Sequence, residues 1–105
     1  MEESSLLASH VPWEKPAGFP EGLKRKVLRT GADGKPRAAL LRLEPGFEMD
    51  AHSHDLAEQH YVIEGMYEPS GREYPAGSYH YLPSHIQHGP FRSRAGALLL
   101  VVWGD

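Results

Sequence analysis

The stretch Gly46-Phe-Glu-Met-Asp-Ala-His52-Ser-His54-Asp-Leu-Ala-Glu58-Gln-His60-Tyr-Val-Ile-Glu-Gly65 decides how this chain is read. Along an extended strand, positions i and i+2 share a face, so His52 and His54 can point into one space. The same parity sets Glu58, His60 and Val62 on one face of the next strand and Gln59, Tyr61 and Ile63 on the other. Two imidazoles from one strand and a carboxylate from its neighbour form a facial set suited to zinc, iron(II), manganese or nickel. A fourth ligand must come from elsewhere, and His88, beyond the strand and turn of 77–83, is the best-placed residue.

Outward from this stretch, composition narrows the chemistry. The chain has 105 residues and no cysteine, so thiolate zinc sites, iron–sulfur clusters, disulfides and thiol catalysis are excluded. Any metal must be held by His, Asp or Glu. A domain this small buries only about two-thirds of its unfolded surface, and a metal ion or a partner subunit would help to hold it. The net charge is −3, and the one basic run, Lys24-Arg25-Lys26, is too short for a nucleic-acid stripe. Met1-Glu2-Glu3-Ser4 is acidic where a secretory leader would be basic. The longest apolar run, Ala97 to Trp103, falls far short of the roughly twenty residues a membrane span needs. These features exclude nucleic acid and membrane as partners and predict a cytoplasmic protein.

The remainder divides at about Gly22. Residues 1–22, rich in Pro and Gly, read as an N-terminal arm in which Val11, Trp13 and Phe19 need somewhere to be buried. Residues 23–105 break into short β-type runs: Lys24–Thr30, Arg37–Leu43, Glu58–Glu64, Met66–Glu68, Arg72–Tyr74, Ser78–Leu82 and Ala97–Trp103. Gly or Pro stands in nearly every connection, including a turn at Gly65, and no segment carries a sustained helical period. The prediction is an all-β sandwich or barrel with little helix. Leu98 to Val102 is apolar without alternation, as in a strand covered on both faces or at a subunit contact.

The opening stretch resembles the first cupin motif, G(x)5HxH(x)3–4E(x)6G, at all five fixed positions. The second motif, G(x)5PxG(x)2H(x)3N, is met at Gly77, Pro83 and His88, while His85 stands for its middle glycine and Arg92 for its asparagine. Val11-Pro-Trp13, residues 22–28, Pro45-Gly46 and residues 71–78 are similar to the ChrR-like branch of the cupins. That branch includes the zinc-holding domain of an anti-sigma factor and is similar to iron-dependent β-diketone-cleaving dioxygenases. The resemblance implies a single-domain cupin jelly-roll barrel holding one divalent metal through His52, His54, Glu58 and His88. Gln59 stands where the longer spacing would put the acidic ligand, which leaves open a three-histidine site with Glu58 pointing away.

An open site of this kind points to a mononuclear metal enzyme, with dioxygenase-type cleavage of a small oxygen-bearing molecule as the leading reaction. The alternatives are a metal- or ligand-binding sensing module and a sugar isomerase or epimerase. His60 is the expected acid, base or orienting group, set against the plainer role of a satisfied interior histidine. His85 belongs to a loop near the barrel mouth, while His10 and His80 have no constellation around them. Edge protection across a two-fold axis, using the arm and the last strand, predicts a homodimer.

Overall fold

The computed structural model describes residues 2–105. One turn of 3-10 helix, Ala8–His10, precedes eight strands: β1 (Leu23–Thr30), β2 (Pro36–Leu43), β3 (Phe47–Met49), β4 (Glu58–Pro69), β5 (Tyr74–Pro75), β6 (Tyr79–Leu82), β7 (Phe91–Ser93) and β8 (Ala97–Trp103). The strand order is β1-β2-β8-β4-β7-β3, with β5 and β6 also paired to β4, and every pairing is antiparallel. The sheet curls on itself as the all-β reading requires. Its inner face carries Leu23, Leu43, Phe47, Val62, Tyr67, Leu82, Phe91, Leu99 and Val101. Each large apolar side chain so buried contributes about 1.5–3 kcal/mol.

The apolar run of β8 has a simple cause. The strand lies between β2 and β4, with Leu99 and Val101 inside and Leu98, Leu100 and Val102 half-covered outside. It is a central strand, so the expectation that it shields a sheet edge is corrected. The free edge of β1 is covered instead by the preceding segment of the same chain. Glu14 and Arg25 exchange two backbone hydrogen bonds of 2.9 Å, and Arg25 Nε donates to Glu14 Oε1 at 2.7 Å. Trp13 lies under Lys26 Nζ at 4.7 Å, yet Trp13 and Phe19 stay 37% and 47% exposed, so their expected burial is only partial.

β4 departs most from the sequence reading. Gly65 is not a turn: the runs before and after it form one twelve-residue strand, Glu58–Pro69. A register shift against β8 falls between Val62 and Glu64, and Ile63, Glu64 and Gly65 are all exposed. Gly65 has φ 81°, and a Cβ there would collide with the Gly96 carbonyl oxygen. This bulge bends β4 and reverses its parity, since one extra residue swaps the faces of everything after it. Glu58, His60 and Val62 face inward before the bulge, and Tyr67 faces inward after it. The second half of β4 can then pair with β7, which pairs with β3. The three-residue strands β3 and β7 were not read from the sequence because so short a run shows no alternation.

Candidate metal centre

Glu58 opens β4 opposite Leu82 of β6 and Trp103 of β8, with its side chain 7% exposed. His60, two residues on, shares its face. His60 Nε2 donates to Glu58 Oε1 at 2.8 Å, and the other ring nitrogen, Nδ1, lies 3.0 Å from the Tyr67 hydroxyl. Glu58 Oε2 is 2.6 Å from His54 Nε2, but off the line along which a ring N–H would donate. This buried oxygen therefore has no aligned hydrogen-bond donor among the described residues, only the ion-pair contact with His54. Burial by itself would raise the Glu58 carboxyl, but His54 and then His60 beside it outweigh burial and hold it at about 2. Burial, with Glu58 and Tyr74 adding to it, pushes Tyr67 far above the usual phenol range, so its hydroxyl stays protonated.

The two histidines of the HxH pair lie in an extended loop rather than on a common strand, which corrects that expectation. His52 and His88 are joined in an isolated antiparallel bridge by backbone hydrogen bonds of 2.8 and 2.7 Å. The bridge brings the two sequence motifs together. The rings of His52 and His54 are 4.4 Å apart at 86°, and those of His54 and His88 are 6.0 Å apart at 21°. His52 Nδ1 donates to the Asp50 carbonyl at 3.1 Å, which leaves Nε2 as its lone-pair nitrogen. His88 Nε2 donates to the Pro83 carbonyl at 2.8 Å, so that its lone pair falls on Nδ1. His54 is thus neighbour to His52, Glu58 and His88, but no group of three or more His, Asp or Glu among the described residues stands ready to hold an ion.

The donor set nevertheless fits a borderline divalent ion. A carboxylate oxygen and imidazole nitrogens brought together, with Oε2 lacking an aligned donor, are the donor types such an ion takes. Gln59 is excluded from the site: it faces outward, donates to the Gly104 carbonyl at 3.2 Å and accepts from the Tyr79 hydroxyl at 2.8 Å. His85 is exposed at φ 60°, the left-handed conformation that the glycine of the second cupin motif would adopt easily, and its N–H donates to the His54 carbonyl at 2.8 Å. Its contribution is made by backbone. Arg92, in the place of the motif asparagine, lies 3.5 Å from buried Glu68. His10 is exposed, whereas His80 is half-buried with Nδ1 unpartnered; burial, with His60, His88 and Arg72 adding, lowers it to about 4 and keeps it neutral at pH 7.

A cavity of about 120 Å³ opens beside these residues, room for several water-sized groups. His52, His54, Glu58 and His60 bound one part, and Leu43, Phe47, Met49, Phe91, Leu99 and Trp103 form an apolar wall. Tyr67, Arg25 of β1, and Pro16 and Phe19 of the preceding segment also line it. Tyr67 and Arg25 went unread in the sequence. Only the bulge turns Tyr67 inward, and Arg25 belongs to a basic run whose middle member alone faces the cavity.

The family described as the ChrR Cupin-like domain matches residues 2–105. No curated protein matches the chain. Among solved structures, an RmlC-like cupin from Shewanella frigidimarina NCIMB 400 is 25% identical, with 97% of this chain and 90% of that one covered and a TM-score of 0.75. A candidate acetylacetone dioxygenase from Methylibium petroleiphilum PM1 is 18% identical, with 98% and 77% covered and a TM-score of 0.86. In the Rhodobacter sphaeroides complex of SigE with the anti-sigma ChrR, the match is 24% identical, covering 92% of this chain and 51% of that one, with a TM-score of 0.71.

Proposed function

Because this chain belongs to the ChrR cupin-like family, we propose that it holds one divalent ion through His52, His54, Glu58 and His88 and acts as a mononuclear, dioxygenase-like enzyme on a small oxygen-bearing molecule. The observation that carries the reading is Glu58 Oε2, buried, unpartnered and 2.6 Å from an imidazole nitrogen that is not aligned to donate to it. A buried carboxylate oxygen with no aligned donor, beside imidazole nitrogens, is a position that a cation would complete. Iron(II), zinc, manganese and nickel all suit three imidazoles and a carboxylate. Such an ion supplies Lewis acidity and, in the case of iron, redox chemistry.

The residues of the chain supply the rest. The apolar wall of Phe47, Met49 and Phe91 admits a small molecule of mainly hydrocarbon surface and excludes bulk water. His60 has both ring nitrogens engaged, and of the roles acid, base or orienting group, the orienting one fits that arrangement. Loading is pH-dependent, because each imidazole must be neutral to bind: metal is retained at pH 8 and lost below about pH 6.

Metal analysis of protein expressed without supplementation, followed by oxygen uptake against small diketones and enols, tests the reading. Iron with uptake supports it. Tightly held zinc with no uptake supports a ligand-binding module instead, the reading favoured by the likeness to the anti-sigma complex. No metal in the purified protein, and none taken up on titration, overturns both.

We further propose a homodimer built on the outer face of the sheet, with the protein in the cytoplasm. Tyr61, Ile63, Tyr79 and Tyr81 are 40–58% exposed there beside half-covered Leu100, and Tyr61 is in register with both Tyr79 and Leu100. Sedimentation at micromolar concentration gives a dimer on this reading, and Tyr61→Glu gives a monomer. A monomeric wild type refutes it.

A further inference from the structure

We propose that His60 and Tyr67 form a buried positioning pair that locks Glu58 so that it presents a single oxygen, Oε2, to the ion. This rests on the metal reading above and goes beyond it, by fixing how the carboxylate binds and which residue outside the ligand set decides that.

The hydrogen-bond directions follow from chemistry. A carboxylate accepts only, so His60 Nε2 carries the proton of the 2.8 Å contact to Oε1. In the neutral ring Nδ1 is then an acceptor, and the protonated Tyr67 hydroxyl donates to it at 3.0 Å. Each donor has one acceptor, and the chain ends on Oε1. Oε2 is left over at the far end of the carboxylate. Its nearest neighbour is His54 Nε2 at 2.6 Å, one of the proposed ligands, so Oε2 is the oxygen turned toward the ligand set.

The pair is rigid because of where it sits. Glu58, His60 and Tyr67 are 5%, 6% and 2% exposed. The Tyr67 ring stacks on Phe91 at 6.1 Å and 9° and meets Tyr74 edge-on at 6.2 Å. Phe91 also packs against the His52 ring at 5.3 Å, so one phenyl group braces both the phenol and a histidine of the loop. With Oε1 engaged by His60, the carboxylate would be disposed to bind an ion through Oε2 alone. Removing the phenol would free His60 to change tautomer and Glu58 to turn. Partners of this kind typically alter metal affinity 10–100-fold.

The test uses Co²⁺ as the probe, titrated against a competing chelator into wild type, Tyr67→Phe, Glu58→Gln and the double variant. Tyr67→Phe is expected to bind about 10-fold more weakly, with a changed cobalt d–d spectrum and an unchanged circular dichroism spectrum. The Tyr67→Phe change should have no further effect in the Glu58→Gln background. Equal affinity and the same spectrum in wild type and Tyr67→Phe would overturn the proposal and leave the metal reading standing. Equal loss with and without Glu58 would also overturn it, since Tyr67 would then act through packing. A wild type that binds no Co²⁺ would sink the metal reading and this inference together. Should Tyr67→Phe fail to fold, ¹⁵N spectra of the wild-type histidines decide. A single Nε2–H tautomer at His60 is expected, and averaged tautomers refute the pair.

Discussion

Glu58 and His88, two of the four proposed ligands, sit in opposite kinds of structure. Glu58 opens a long strand, faces inward by parity, and has one oxygen already held by the His60–Tyr67 chain. His88 belongs to the loop segment 83–90, pinned by its backbone bridge to His52, and its Nε2 is engaged with the Pro83 carbonyl. On one side the carboxylate is held by side chains of its own strand, whereas on the other the backbone is pinned and the ring is held by a loop carbonyl. The difference accounts for a centre in which the right residue types are neighbours without standing as a finished coordination set. The proposed site would thus draw on rigid strand around the buried charge and on loop at its other side.

The largest test of this contrast lies outside the centre. Gly65→Ala puts a Cβ against the Gly96 carbonyl at φ 81°, and we expect a loss of about 3 kcal/mol or more in urea unfolding. A loss under about 1 kcal/mol would mean that the bend in β4, and hence the inward facing of Tyr67, does not depend on that glycine. Next comes the centre itself. Glu58→Gln should weaken zinc binding by more than about 100-fold, and His88→Ala by only about 10-fold, because the His88 ring must change its contacts on binding. The reverse order, read by chelator competition, would break the contrast between strand and loop.

A third test reads the buried carboxylate without metal. Glu58 is held at about 2 in the folded chain against an ordinary value of 4.5. A depressed carboxyl stabilises the fold above its unfolded value, and that contribution drains away as pH falls from 4.5 toward 2. In chelator, wild type should lose on the order of 3 kcal/mol more than Glu58→Gln between pH 5 and pH 2. Parallel urea midpoints for the two would show that His54 and His60 do not hold Glu58 ionised. The smallest effect is reserved for the outer face, where Tyr79→Phe removes an exposed hydrogen bond to Gln59 and should change stability by less than about 0.5 kcal/mol.

The division between what was legible in the chain and what was not follows physical lines. Strand parity is a local property, so the inward set of Glu58, His60 and Val62 and the outward set of Gln59, Tyr61 and Ile63 could be read from the spacing alone, and the burial agrees residue by residue. Turn chemistry is nearly as local, and β1, β2, β6 and β8 were readable to within a residue at either end. Gly65 misled because a positive-φ glycine serves a turn and a bulge equally well, and only the pairing of β4 with β8 distinguishes them.

The amino-acid sequence by itself therefore determined the all-β class, the inner face of β4 up to its bulge and the residue types available to a metal. Tertiary structure alone decided that Tyr67 faces inward, that the last strand is central rather than an edge, and that His52 and His88 lie side by side. These depend on register between segments far apart in the chain, and register is settled by which faces bury together rather than by any residue's own preference.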